Sequence, residues 1–276
     1  MASLQVLRKR YKSIQATADM AAAMKTASSV KYAKISRVLN SIGAYTKACD
    51  EALSLFGPDV LERNTGSVKQ RNCLVVFTND RGFCGGFNGE LLRFFEAKMA
   101  EESEKPLLFV YGQKGIAFCN NKNYDYEKLT FSDVPSYPEA EALTEKLFGI
   151  YASGEAERIC MIYQRFDNMM TQTPVMETIL PHARNEQTGE NRDMLFLPDR
   201  QTAQQKPAMY CLINSIYRIM LEHTAGAQAA TSIAMRSACD NADKSLAKLE
   251  IMINRIRQAE VTNSVIETSS YIQSEM

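Results

Sequence analysis

The chain has 276 residues, 45% of them apolar, with 32 basic and 32 acidic side chains. That length suits one large or two modest domains with a sizeable buried core. A formal net charge of zero gives no general reason to expect a nucleic-acid partner, and no apolar run approaches the roughly 18–20 residues that cross a bilayer.

The charge is unevenly placed. Residues 1–50 carry nine basic side chains (Arg8, Lys9, Arg10, Lys12, Lys25, Lys31, Lys34, Arg37 and Lys47) against Asp19 and Asp50 alone. That end should prefer an acidic partner. Its composition also fits a transit peptide. The pattern continues far past any plausible cleavage point, which argues against that reading.

All eight prolines lie between residues 58 and 207, leaving proline-free tracts of 57 residues at the front and 69 at the back. Proline breaks helix interiors, so both ends are free to form long helices. At full length they would reach roughly 85 and 100 Å. Alternating steps of three and four from Leu4 give a front seam running to Phe56. Thirteen of its sixteen positions are apolar or aromatic; Lys25, Ser28 and Thr46 are the exceptions. A seam held that long predicts a left-handed coiled coil over residues 1–57, ended by Gly57-Pro58. Two ordinary bundle helices are the plainer alternative.

Residues 70–200 alternate differently. NCLVVF (72–77), KPLLFVYG (105–112), RICMIYQRF (158–166) and TPVMETILP (173–181) read as strands. GELLRFFEAKMAEE and PEAEALTEKLFGIYASG between them read as helices. Strand–helix alternation predicts a Rossmann-like α/β domain with a largely parallel sheet.

TNDRGFCGGFN (78–88) follows the first strand and precedes a helix, the order that cradles phosphates. It lacks GxxxxGK[ST], and Gly82, Gly85, Gly86 and Gly89 miss the GxGxxG spacing. The second strand ends in Tyr-Gly-Gln with no acid for a ribose. A tight turn with glycines at positive φ is the preferred reading, and no cofactor is expected. The seven scattered cysteines form no CxxC pair, which reads as reduced thiols and not a zinc site or disulfide framework. His182 and His223 stand far apart without a nucleophile motif, so no catalytic or metal residue is assigned.

QTAQQKP (201–207) reads as a linker and residues 208–276 as the back helix. Its seam runs through Ile213, Ile216, Met220, His223, Ala227, Ala230 and Ala234. It slips after Asn241 and resumes at Leu249, Met252, Ile256 and Ala259. His223 on that seam reads as a packed histidine. Ala16–Ser29 and Ala225–Ala238 are rich in small residues, which lets helix axes approach closely. The expected fold class is therefore α/β plus a long antiparallel coiled coil of the two terminal helices.

Three segments carry a resemblance: LRKRYKSIQATADMAAAMKTASSVKYAK (7–34), TNDRGFCGGFN, and the pair SIAMRSACDNA (232–242) and NRIRQAEVTNSV (254–265). Together they resemble the gamma subunits of F-type ATP synthases over nearly the whole chain. The resemblance implies a central-stalk rotor with no bond chemistry of its own. Its implied partners are three alpha and three beta subunits, the epsilon subunit and the membrane c-ring, on the cytoplasmic face of a bacterial inner membrane. It further implies contacts with the alpha–beta ring at Arg8, Lys9, Arg10, Met24, Lys25, Arg81, Cys84, Arg257, Gln258 and Thr262. Leu195, Phe196 and Leu197 would meet the membrane ring. Ala18, Ala21, Thr231 and Leu197 depart from the family's usual residues. A nucleotide-dependent enzyme with a coiled-coil arm, or the central stalk of a V/A-type ATPase, are the competing readings.

Overall fold

A computed structural model describes residues 4–55, 71–181 and 200–274. In chain order the elements are α1 (Leu4–Leu55), β1 (Cys73–Phe77), α2 (Phe87–Glu101), β2 (Leu107–Tyr111), α3 (Gln113–Lys122), β3 (Glu127–Leu129), α4 (Tyr137–Ala152), β4 (Ile159–Phe166), β5 (Gln172–Leu180) and α5 (Arg200–Ser274). The chain divides into two compact units. One combines Met1–Ala27 with Ser232–Met276, and the other is Ser28–Thr231.

The larger unit is built on one sheet of order β3-β2-β1-β4-β5. The first four are mutually parallel, and β5 runs antiparallel to β4 through a tight hairpin. Side chains alternate faces along a strand, and that alternation sorts the core in two. Cys73, Val75 and Phe77 of β1 face one way, with Ile159, Met161 and Tyr163 of β4, against α4 and α5. Leu74, Val76, Cys160 and Ile162 face the other way, toward α2 and α3. This is the doubly wound arrangement that a strand–helix rhythm favours.

In this unit α1 and α5 pair antiparallel. Cys49 packs with Ala208 and Cys211, and Ile35 with Leu221 and Ala225. Asn214 Nδ2 donates to Thr46 Oγ1 at 3.1 Å. In the smaller unit the helices meet at Cys239, whose Sγ lies 3.9 Å from the Ala18 carbonyl oxygen. Among the described residues, Leu7, Ala21, Met235 and Leu249 are its buried apolar ones. Every described position of the front seam, from Leu4 to Cys49, is buried or half-buried. Lys25, Ser28 and Thr46 are among them.

Three expectations need correction. Residues 201–207 are not a linker. The helix starts at Arg200 and runs through Pro207, which removes one backbone donor without ending the helix. Past the slip, Met252 is 54% exposed and Ala259 is exposed. Ile253 takes the half-buried place instead. The third correction concerns α3 and β3, which sequence patterning passed over.

Candidate functional site

The glycine-rich turn after β1 is held at both ends. Thr78 is fully buried. Its N–H and its hydroxyl both donate to the Tyr111 carbonyl, at 2.8 and 2.7 Å, and the hydroxyl accepts the Gly115 N–H at 2.9 Å. The Asn79 N–H donates to Asn88 Oδ1 at 3.0 Å, and Asn88 Nδ2 donates to Cys84 Sγ at 3.3 Å. Between these ties Phe83 (φ 65°) and Gly85 (φ 60°) take left-handed backbone.

Open parallel sheets take anionic ligands at helix N-termini, beside the point where strand order reverses. Here that point lies between β1 and β4. The N-terminus of α3 receives a carboxylate of the chain itself, since Asp80 Oδ1 accepts the Gln113 N–H at 3.0 Å. At α2, Glu90 folds back over its cap: a Cβ at Gly86 would lie 2.9 Å from Glu90 Oε1. A phosphate would meet two negative charges.

The crevice itself is filled by α5. The ring of His223 stands 5.2 Å from that of Phe87 and 6.0 Å from that of Phe77. Its Nδ1 accepts the Gln164 N–H at 3.3 Å, which assigns the ring proton to Nε2. Gln164 Nε2 donates to the Phe87 carbonyl at 2.8 Å. Burial drives the His223 pKa down to about 3, against the opposing pull of the Thr78 backbone, so the imidazole is neutral. Gly226 lets α5 come this close, because a Cβ there would lie 3.2 Å from the Phe87 ring and 3.1 Å from Gln172.

The residues singled out in sequence fall in two places. In the larger unit Arg81 is exposed, while Cys84 is buried with Phe87 and Ala227. Burial also pushes the Cys84 thiol above its ordinary pKa, which leaves it a poor nucleophile. The side chain that the turn does present is Phe83, 63% exposed. Left-handed backbone under a bulky residue costs on the order of 1 kcal/mol or more. Phe83→Gly should therefore raise stability by about 0.5–1 kcal/mol, after the larger unfolded-state entropy of glycine is subtracted. Urea denaturation would check this, and a loss of stability would mean that the Phe83 ring packs.

In the smaller unit Arg8, Lys9 and Arg10 are exposed on α1, and Met24 and Lys25 are half-buried. Arg257, Gln258 and Thr262 are exposed on α5, where Thr262 Oγ1 donates to the Gln258 carbonyl at 2.9 Å. Val261, Val265 and Ile266 lie beside them, each about three-fifths exposed. Sequence reading passed over these three, although apolar residues off the seam were the available signal. Leu195, Phe196, Leu197 and His182 lie outside the described residues.

Long terminal helices that display charged and apolar side chains accompany an α/β domain whose ligand crevice holds its own helix. Among the described residues no helix is long and apolar enough to cross a membrane. The chain belongs to the ATP synthase family, which it matches over residues 3–270. It is 29% identical to the ATP synthase gamma chain of Pelotomaculum thermopropionicum over 279 aligned residues, which cover 97% of each chain. With that of Rubrobacter xylanophilus the identity is 28%, covering 98% of this chain and 97% of the other. The fold matches the Euglena gracilis mitochondrial ATP synthase in a rotor structure (TM-score 0.66, 16% identity, 94% of this chain and 98% of that one). It also matches a chain in the OSCP/F1/c-ring structure of the same enzyme (TM-score 0.69, 14% identity, 98% and 94%).

Proposed function

We propose that this chain is the central-stalk rotor subunit of an F-type ATP synthase, transmitting torque between a membrane c-ring and a catalytic head of three alpha and three beta subunits. The observation that carries the reading is the family match across both terminal helices and the domain between them. A match to the α/β domain alone would have fitted many functions. The chain's role is mechanical. A single asymmetric shaft inside a threefold ring gives each beta subunit a different neighbour. That difference biases each site among its nucleotide states, and binding equilibria shift only through such differential contacts.

The surfaces follow from that role. Arg8, Lys9 and Arg10, with Met24 and Lys25, face acidic loops of the ring. Arg257, Gln258 and Thr262 form a polar grip on beta, and Arg81 lies in the turn stabilised by Cys84, where beta's lower lobe passes. Leu195, Phe196 and Leu197 dock on the membrane ring, and epsilon binds beside the α/β domain. The complex lies peripherally on the inner membrane, on its cytoplasmic face. Asp80 and Glu90 at the two helix N-termini, and α5 in the crevice, favour this over a nucleotide-dependent enzyme with a coiled-coil arm.

The test is a double substitution in a complex reconstituted with alpha and beta subunits. Truncating a contact residue that dominates an interface costs about 2 kcal/mol or more. Arg257→Ala with Gln258→Ala should therefore lower ATP-driven torque or the coupling ratio, with assembly retained. Unchanged torque and coupling would remove these contacts from the account. Failure of the unaltered chain to co-purify with alpha and beta would remove the rotor reading.

A further inference from the structure

The α/β domain is built around α5 and not around α1. Ile213, Ile216 and Met220 belong to the same buried cluster as Phe77 of β1 and Tyr163 of β4. Among the described residues none of α1 enters that cluster. Within this unit the contacts from α1 to the domain are smaller ones, among them the exposed Lys31–Asp133 ion pair, the Tyr32–Phe166 ring contact at 5.7 Å, and the flank of a small cluster centred on Ile35. Ile35 packs mainly on Leu221 and Ala225, which are α5 residues.

Polar contacts add direction to the α5 joint. Arg218 Nη2 donates to Glu177 Oε1 on β5 at 2.7 Å, and Nη1 donates to Glu222 Oε1 one turn on at 2.8 Å. Tyr163 of β4 donates to the other oxygen of Glu177 at 2.7 Å. Five residues past Arg218, His223 receives the Gln164 N–H. Apolar contacts are non-directional, and a helix can roll over them at small cost. Charge-assisted bonds from a planar guanidinium fix an angle.

We infer that α5 is the torque-carrying helix of the rotor and that Arg218 is the pin that holds its rotational phase against the sheet; this rests on the rotor reading above. Arg218, Glu177 and Glu222 are positioning residues, and α1 is braced on α5. Torque applied to the domain enters the shaft chiefly through α5, at Arg218 and His223, and reaches α1 mainly through the pairing of the two helices.

The experiment measures torsional stiffness in single reconstituted complexes, with a bead on the α/β domain and the head fixed. Arg218→Met should soften the rotor about twofold, because the apolar span still holds while the two carboxylates lose their shared partner. Arg218→Lys should recover part of the stiffness, and Lys31→Ala should leave it unchanged. Should Arg218→Met not assemble, Glu177→Gln keeps size and shape, removes the charge that Arg218 meets on the sheet and is read in the same way. Stiffness unaltered by Arg218→Met or by Glu177→Gln overturns the assignment, as does equal softening by Lys31→Ala. A complex that forms with the unaltered chain and never rotates would instead overturn the rotor reading.

Discussion

Gly112→Ala is expected to cost the protein more than about 4 kcal/mol of stability, an effect confined to a few mechanisms such as backbone collision and severe strain. Gly112 follows β2 with φ 92° and ψ 140°, a conformation that L side chains rarely adopt. A Cβ there would stand 2.3 Å from the Thr78 carbonyl oxygen, 2.6 Å from its carbonyl carbon and 2.6 Å from its hydroxyl. The first two are backbone atoms, so no rotamer change relieves them. Thr78 is the knot that joins the end of β1 to β2 and to the start of α3. Moving it would cut those bonds in a fully buried place. Gly89→Ala is the control, because its Cβ would meet nothing within 4 Å and it lies inside α2. That change should add about 0.5–1 kcal/mol. Urea midpoints of the two variants should move in opposite directions. A Gly112→Ala protein with the parent midpoint would mean that β1 and β2 can separate at this end without loss.

What could be read in sequence follows from how many neighbours an element has. Along its described length α1 packs chiefly through one stripe, so burial follows a single step of three and four from Leu4 to Cys49. Between Ala208 and Thr231 α5 serves two neighbours, the α1 helix and the sheet. Its burial wraps around: Cys211 to Asn214 are consecutively buried, as are Ile219 to Leu221 and Ala225 to Ala227. One seam cannot describe such a helix, and the register after Asn241 settled on Ile253, one residue from the expected Met252. Pro207 marked a boundary by rule, yet a long helix packed on both sides of it tolerates one missing bond.

The middle domain shows the same division. β1 and β4 are buried on both faces and stand out as apolar runs. The helix α3 did not stand out, because Gly115 and five polar residues dilute its pattern. Gly115 is there for contact: a Cβ would lie 2.8 Å from both Thr78 Oγ1 and Val110 Cγ1. β3 has three residues at the sheet edge, too few for periodicity to register. The turn was legible as a turn, but its partners were not. His223 finds Gln164 59 positions away, and Arg218 finds Glu177 41 positions away. Only the tertiary fold brings such pairs together, and sequence offered a histidine and an arginine on a helix.

His223 makes the stability of this protein depend on acid. In the folded chain its pKa is pushed down to about 3 by complete burial, from an ordinary value of 6.5. Above pH 6.5 neither state binds the proton, and the burial carries no acid penalty. As pH falls below 6.5, the unfolded chain takes up a proton that the folded chain refuses until about pH 3. Stability is therefore lost across that window, by about 1.4 kcal/mol for each pH unit. Asp133 and Asp167 act in the same direction, because hydrogen bonds from Lys31 and from Thr173 hold their carboxyls below the usual range. Comparison with a variant isolates the histidine. Glutamine can accept the Gln164 N–H and does not titrate, so His223→Gln keeps the bond and removes the proton site. Between pH 8 and pH 5 the stability difference between parent and variant should close by about 2 kcal/mol in favour of the variant, as measured by urea unfolding at each pH. His182, Asp133 and Asp167 are common to both proteins and cancel. Curves that stay parallel across this range would mean that the imidazole protonates within the folded protein, and that α5 does not seal the crevice between β1 and β4.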